Sequence, residues 1–177
     1  VCGITPYSRS HIGHALKAVI FDVLRRFLEY QGYVVKHVEN FTDIDDKMIA
    51  GAQQQGVTIN QLADSNIYKY LSHMDALNVL RAHIYPKATD EIPEMIEIIE
   101  DLVDKGAAYV VGSDVYFSVR HKKNYGKLSR QSLESMLAGA RVEIGANKHD
   151  DMDFALWKSQ KPGEPAWDSP WGPGRPG

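Results

Sequence analysis

The sequence predicts an α/β protein built on a doubly wound parallel sheet, and three observations lead there. A short apolar run, Val1 to Ile4, precedes the turn-rich "TPYSRS". Leu16, Ile20, Val23, Leu24, Phe27 and Leu28 then recur at helical spacing. A second apolar run, "YVVKHVEN", follows that stripe directly. Strand, helix, strand in this order is a right-handed parallel crossover, the repeating unit of doubly wound nucleotide-binding folds.

Each element has a local reason. Ser10 is the expected N-cap of the first helix, because its hydroxyl can accept from an amide of the first turn. The apolar stripe is expected to pack on the sheet, and Gly32 to end the helix. "TDIDDKMIAGAQQQG" reads as a second helix, capped by Thr42 with Asp45 three residues on in a variant capping box. "TINQLADSNIYKYLSHMDALN" and "IPEMIEIIEDLVDKG" follow with helical periodicity, Pro93 sitting at a helix start. "AAYVVGSDVYFSV" has strand composition broken by Gly-Ser-Asp, which predicts a hairpin. "DMDFALWK" predicts one more strand, and the Pro/Gly/Trp-rich tail predicts loop.

Composition bounds the function classes. At 177 residues the chain suits one domain, or one domain with a small insertion. Its 44% hydrophobic and 24% charged residues describe an ordinary globular protein. A net charge of -3 gives no global basic footprint, so nucleic acid must be met by a local patch. Such a patch exists: Arg120, Lys122, Lys123, Lys127 and Arg130 crowd one loop with no acidic residue among them. A single cysteine excludes an internal disulfide framework and fits a reducing, cytoplasmic setting. No apolar run approaches the ~20 residues of a membrane helix, and no signal peptide is expected ahead of Val1. A start without methionine and an end in "PWGPGRPG" suggest a piece of a longer protein, expected to be monomeric.

The chemistry concentrates at His11-Ile12-Gly13-His14, at the threshold of the first helix. Free amides and the helix dipole at that point favour phosphate. Histidines at i and i+3 share a face, and each can donate to phosphate oxygens and stabilise charge developing on a phosphorus under attack. Gly13 has no side chain, so a flat base could approach the backbone. The bland alternative is a helix start carrying two solvated histidines.

This His-Ile-Gly-His tetrad resembles the adenylate-forming signature of class I aminoacyl-tRNA synthetases. The surrounding "VCGITPY", "NFTDIDDK", "DVYFSV", "YGKLSRQ", "LAGARVE", "DFALWK" and "KPGEPAWDSPWGPGRPG" resemble the cysteinyl-tRNA synthetase family, in order and over essentially the whole chain. The resemblance implies a Rossmann-like catalytic core in residues 1–106 and a small inserted connective segment in 107–152. It implies a return to the core in 153–177. It also implies ATP, with Mg2+, and L-cysteine as substrates, a cysteinyl-adenylate intermediate, and transfer to tRNA(Cys).

His11 and His14 become the expected catalytic residues, and with Gly13 the expected ATP contacts. Thr42 and Asp45 are expected amino-acid contacts, since "NFTDIDDK" lines the amino-acid pocket in the family, and Gly3 of "VCGITPY" is expected beside them. The resemblance makes Cys2 a Zn2+ ligand, with the remaining ligands expected beyond Gly177; a borderline-soft metal binds a thiolate far better than serine's hydroxyl. Without that role Cys2 is a small buried hydrophobe. The cluster Arg120, Lys122, Lys123, Lys127 and Arg130 falls in the connective segment, where neutralising the phosphates of the tRNA acceptor end is useful. Asp43 and Asp46 read as first-turn carboxylates offsetting the helix dipole. No Lys-Met-Ser-Lys-Ser loop occurs, so the chain is expected to hold half an active site and to be inactive alone. Two other readings stay open: a cysteine ligase of mycothiol biosynthesis, which passes cysteine to an amino sugar, and a module that binds nucleotide or RNA without turnover.

Overall fold

Helix α1 (Ile12–Tyr30) begins at His11 rather than Ser10 and ends where Gly32 turns into the left-handed region, φ 87°. In the computed structural model, which describes residues 1–133, 135–136 and 148–177, contacts divide the chain into two units, Val1–Glu91 and Ile92–Gly177. The "LAGARVE" block lies outside the described residues.

In the first unit, α1 is joined by α2 (Asp46–Gln55) and α3 (Ile59–Ala76). Asp45 caps α2, its Oδ1 accepting from the Met48 amide at 2.7 Å. The expected Thr42 cap does not form; the Thr42 hydroxyl accepts from Asn40 Nδ2 at 3.3 Å instead, and the Thr42 amide donates to the Ile4 carbonyl at 2.9 Å. Thr58 and Gln61 form a reciprocal capping box at the start of α3. Two apolar clusters hold this unit together. Ile4, Ala18, Phe41, Tyr70 and Met74 form one, and Met48, Ala52, Leu62 and Ala63 the other.

The parallel sheet appears here only as isolated bridges, Ile4 to Phe41, Phe41 to Lys87 and Val38 to Ile84. The Phe41 amide reaches the Pro86 carbonyl at 2.8 Å, and the Ala88 amide reaches the Phe41 carbonyl at 2.9 Å. Residues 33–37, expected as strand, make no ladder, and Val34 is fully exposed. Parallel strands persist where both faces are covered and strands flank them; here each segment meets its neighbour at one or two residues. The apolar stripe of α1 is a second departure. Leu16, Ile20, Val23, Leu24 and Phe27 are exposed, while the buried residues of α1 are Ala18 and Asp22. The core side of α1 is thus its small-residue face, and Asp22 there accepts from Arg26 and from the Leu80 amide.

The second unit packs α4 (Ile92–Asp104) on a four-stranded antiparallel sheet in the order β1-β2-β3-β4. Strands β1 (Ala108–Val111) and β2 (Asp114–Phe117) form the expected hairpin around Gly112-Ser113, with Gly112 at φ 65°. Strand β3 (Phe154–Ser159) is also where the sequence placed it. Strand β4 (Gly174–Pro176) lies inside the tail expected as loop. A Cβ on Gly174 would fall 2.4 Å from Trp157 Nε1, so this edge strand closes over the buried Trp157 only because residue 174 is glycine. Arg175 beside it is buried and paired with Glu164 at 2.9 Å. The core is Ile92, Ile99, Ala108, Val115 and Trp157. No helix of the described residues is long and apolar enough to cross a membrane.

Candidate active site

The site is assembled in the first unit, from the segment Val1–Ser10, the start of α1 and the turn 39–45. His11 occupies the N-cap with extended backbone, φ −127° and ψ 176°. Its Nδ1 accepts from the Gly13 amide at 3.1 Å, and His14 Nδ1 accepts from the His11 amide at 3.1 Å. Each histidine therefore satisfies an amide that a helix start leaves unpaired. The two rings stack with centroids 4.0 Å apart and planes 25° from parallel. Burial, then the neighbouring His11 and Lys17, holds the His14 imidazolium pKa below its usual range. Ser10, expected as the cap, bonds instead to His73 Nδ1 of α3 at 2.8 Å. Asn66 of α3 donates to the Pro6 carbonyl at 2.9 Å. Helix α3 thus holds the turn ahead of the histidines at two points.

Cys2 and Gly3 lie beside the turn 39–42. The Gly3 amide donates to Asn40 Oδ1 at 2.9 Å, and a Cβ on Gly3 would lie 1.5 Å from the Asn40 carbonyl oxygen. Only glycine fits at position 3, and its amide already has a partner. Thr42 is half-buried, its Oγ1 accepting from Asn40 Nδ2 at 3.3 Å. Asp45 is occupied as the α2 cap. Asp43 proves to be a buried clamp rather than a first-turn carboxylate: it accepts from the Thr89 amide at 3.0 Å and the Thr89 hydroxyl at 2.6 Å. The structure thus brings Gly3 and Thr42 together around Asn40, and it stacks His11 on His14.

Cys2 is exposed, not a buried hydrophobe. Among the described residues no group of three His, Cys, Asp or Glu side chains could hold a metal ion. The side chains of the described residues therefore do not fit a zinc site by themselves.

A residue that sequence patterns did not single out ties these parts together. Lys17, one turn past His14, donates to the Cys2 carbonyl at 3.0 Å and to Glu39 Oε1 at 2.6 Å. The Tyr70 hydroxyl donates to the same Glu39 oxygen at 2.9 Å. Glu39 and Tyr70 are both buried. Burial first, and the Glu39 charge second, push the Tyr70 phenol far above its usual range. The available signal was a lone lysine three residues after His14, on the same helical face.

The basic cluster belongs to the second unit. Lys122, Lys123, Lys127 and Arg130 are exposed. Arg120 is exposed too but pairs with Asp150, so the cluster is not free of acidic partners.

All 177 residues match the model of the tRNA synthetases class I (C) catalytic domain, and the chain belongs to that family. It is 58% identical over its full length to the cysteine–tRNA ligase of Dehalococcoides mccartyi (strain BAV1), and 56% identical to that of strain 195. Over 176 residues, 99% of the chain, it is 54% identical to the cysteine–tRNA ligase of Aquifex aeolicus (strain VF5). The chain spans 39%, 39% and 36% of the length of these three relatives.

Proposed function

We propose that this segment is the N-terminal catalytic part of a cysteine–tRNA ligase, with a doubly wound core completed by further chain. Likeness to ligases of that name over 99–100% of its length carries the reading. In the reaction an oxygen of the cysteine carboxylate attacks the α-phosphorus of Mg2+-bound ATP and pyrophosphate leaves. The cysteinyl group then passes from the adenylate to the 3′ end of tRNA(Cys), releasing AMP.

Three features of the site support these roles. The Nδ1 atoms of His11 and His14 accept from first-turn amides, which leaves their Nε2 atoms to meet phosphate at a helix N-terminus, where negative charge is stabilised. The turn holding Gly3, Thr42 and Asp45 is the proposed wall of the cysteine pocket, its backbone fixed by Asn40 and by the α2 cap. Exposed Lys122, Lys123, Lys127 and Arg130, with Arg120 beside Asp150, are the proposed contacts to acceptor-stem phosphate within a connective segment at 107–152. Cys2 is proposed as one ligand of a zinc site whose other ligands lie outside this chain, and no step is derived through that metal. A cytoplasmic location, which the single free cysteine fits, and a monomeric state are part of the proposal.

The test is cysteine-dependent exchange of pyrophosphate into ATP by the full-length gene product. His14→Ala should lower it by ~10²-fold or more. Charging of tRNA(Cys) is expected; cysteine passed to an amino sugar, or nucleotide binding without exchange, overturns the reading.

A further inference from the structure

We propose that His11 and His14 are locked as Nε2–H tautomers by the first-turn backbone of α1, and that Gly13 is the positioning residue that allows it. A backbone amide can only donate. The Gly13 amide lies 3.1 Å from His11 Nδ1, and the His11 amide lies 3.1 Å from His14 Nδ1. Both Nδ1 atoms must therefore offer lone pairs, which places the single ring proton of each neutral imidazole on Nε2. The rings stack with centroids 4.0 Å apart, but each Nδ1 is fixed by its own backbone amide, so the two choices are made separately.

Gly13 explains itself in the same geometry. Alanine is the better helix former, and glycine at a second helical position runs against propensity. A Cβ on residue 13, however, would stand 2.9 Å from His11 Cε1 and 3.1 Å from His11 Nδ1. The glycine makes room for the neighbouring imidazole, not for a bend, because its backbone is helical. An alanine there would keep the helix and push the His11 ring off its cap. The charged and titratable neighbours are Lys17 on α1 and His73, which reaches Ser10 from α3.

The consequence for the proposed activity, on which this part alone rests, is that an anionic phosphate oxygen meets two preset Nε2–H donors. Neither ring must tautomerise or take up a proton before binding.

Long-range proton–nitrogen correlation spectra of the chain with isotope-labelled histidines, without nucleotide and above the imidazole titration range, test this apart from any activity. Both rings should show only the Nε2–H pattern, with a pyridine-like Nδ1. In Gly13→Ala the His11 ring should lose that single pattern while His14 keeps it. In His11→Asn, whose side-chain oxygen can take over the Gly13 amide, His14 should also keep it. An Nδ1–H or averaged pattern for either ring in the unmodified chain overturns the proposal, as does a Gly13→Ala spectrum identical to it. If Gly13→Ala does not fold, the unmodified chain and His11→Asn decide.

Discussion

Replacing Lys17 by Met isolates the electrostatic link between α1, the Cys2 carbonyl and the core. The substitution keeps the aliphatic stem and removes the ammonium, leaving the buried Glu39 with the Tyr70 hydroxyl as its remaining side-chain partner. Stranding one member of a buried ion pair costs ~3–5 kcal/mol. Lys17 retains 24% side-chain exposure and Tyr70 stays bonded, so the expected loss is at the lower end, ~3 kcal/mol. For a chain of this size that is a fall in melting temperature of roughly 6–12 °C. Glu39→Gln removes the charge that needs a partner and keeps an acceptor for Tyr70, so it should cost ~1–2 kcal/mol. The double variant Lys17→Met/Glu39→Gln should then be more stable than Lys17→Met alone, because no charge is left stranded. Far-UV circular dichroism is the proper probe. All three tryptophans, Trp157, Trp167 and Trp171, lie in the second unit, and their emission reports that unit instead. A Lys17→Met protein that melts within 1–2 °C of the unmodified chain, or a double variant no better than the single, would refute the reasoning.

His11→Ala should destabilise α1 by ~0.5–2 kcal/mol in denaturant titrations, whereas His11→Asn, a good N-cap, should cost little. Both should nevertheless depress pyrophosphate exchange in the full-length gene product, and normal exchange by His11→Asn would show that the ring does only a cap's work. Stability should also fall at both ends of the pH range. His14 and His37 have pKa values lowered chiefly by burial, so their contribution is present above roughly pH 6.5 and is lost as pH falls through their folded-state values. The Tyr70 pKa is raised chiefly by burial, so its contribution is complete below roughly pH 10 and disappears above it. Urea midpoints measured across pH should show the acid limb flattening in His14→Gln and the alkaline limb in Tyr70→Phe. Cys2→Ser in the full-length protein should release zinc, raise the KM for cysteine and weaken discrimination against serine; retained zinc with normal kinetics would remove Cys2 from the site. Gly3→Ala should cost ~1–3 kcal/mol or more by overpacking against the Asn40 carbonyl, read as a lowered urea midpoint.

What the sequence determined by itself is local in origin. Helical periodicity located α1 to α4, and the Gly112-Ser113 turn located the hairpin, because 3.6-residue spacing and glycine's left-handed freedom act within a few neighbours. The histidine pair was legible as chemistry for the same reason, since both rings sit on one helical turn. Tertiary structure decided everything that needed a distant partner. Ser10 had the better capping propensity but is taken by His73, 63 residues away, and the cap passes to His11. The Thr42 hydroxyl accepts from Asn40 instead of from a helix amide, and Asp45 caps α2. Asp43 looked like a helix-dipole carboxylate until Thr89 closed on it. Gly174 and Arg175 read as loop because their strand exists only against Trp157 and Glu164. The α1 stripe was expected to be buried, yet the described residues pack against its Ala18 and Asp22 side. Periodicity states how apolar a face is; which face becomes core depends on what else arrives to cover it.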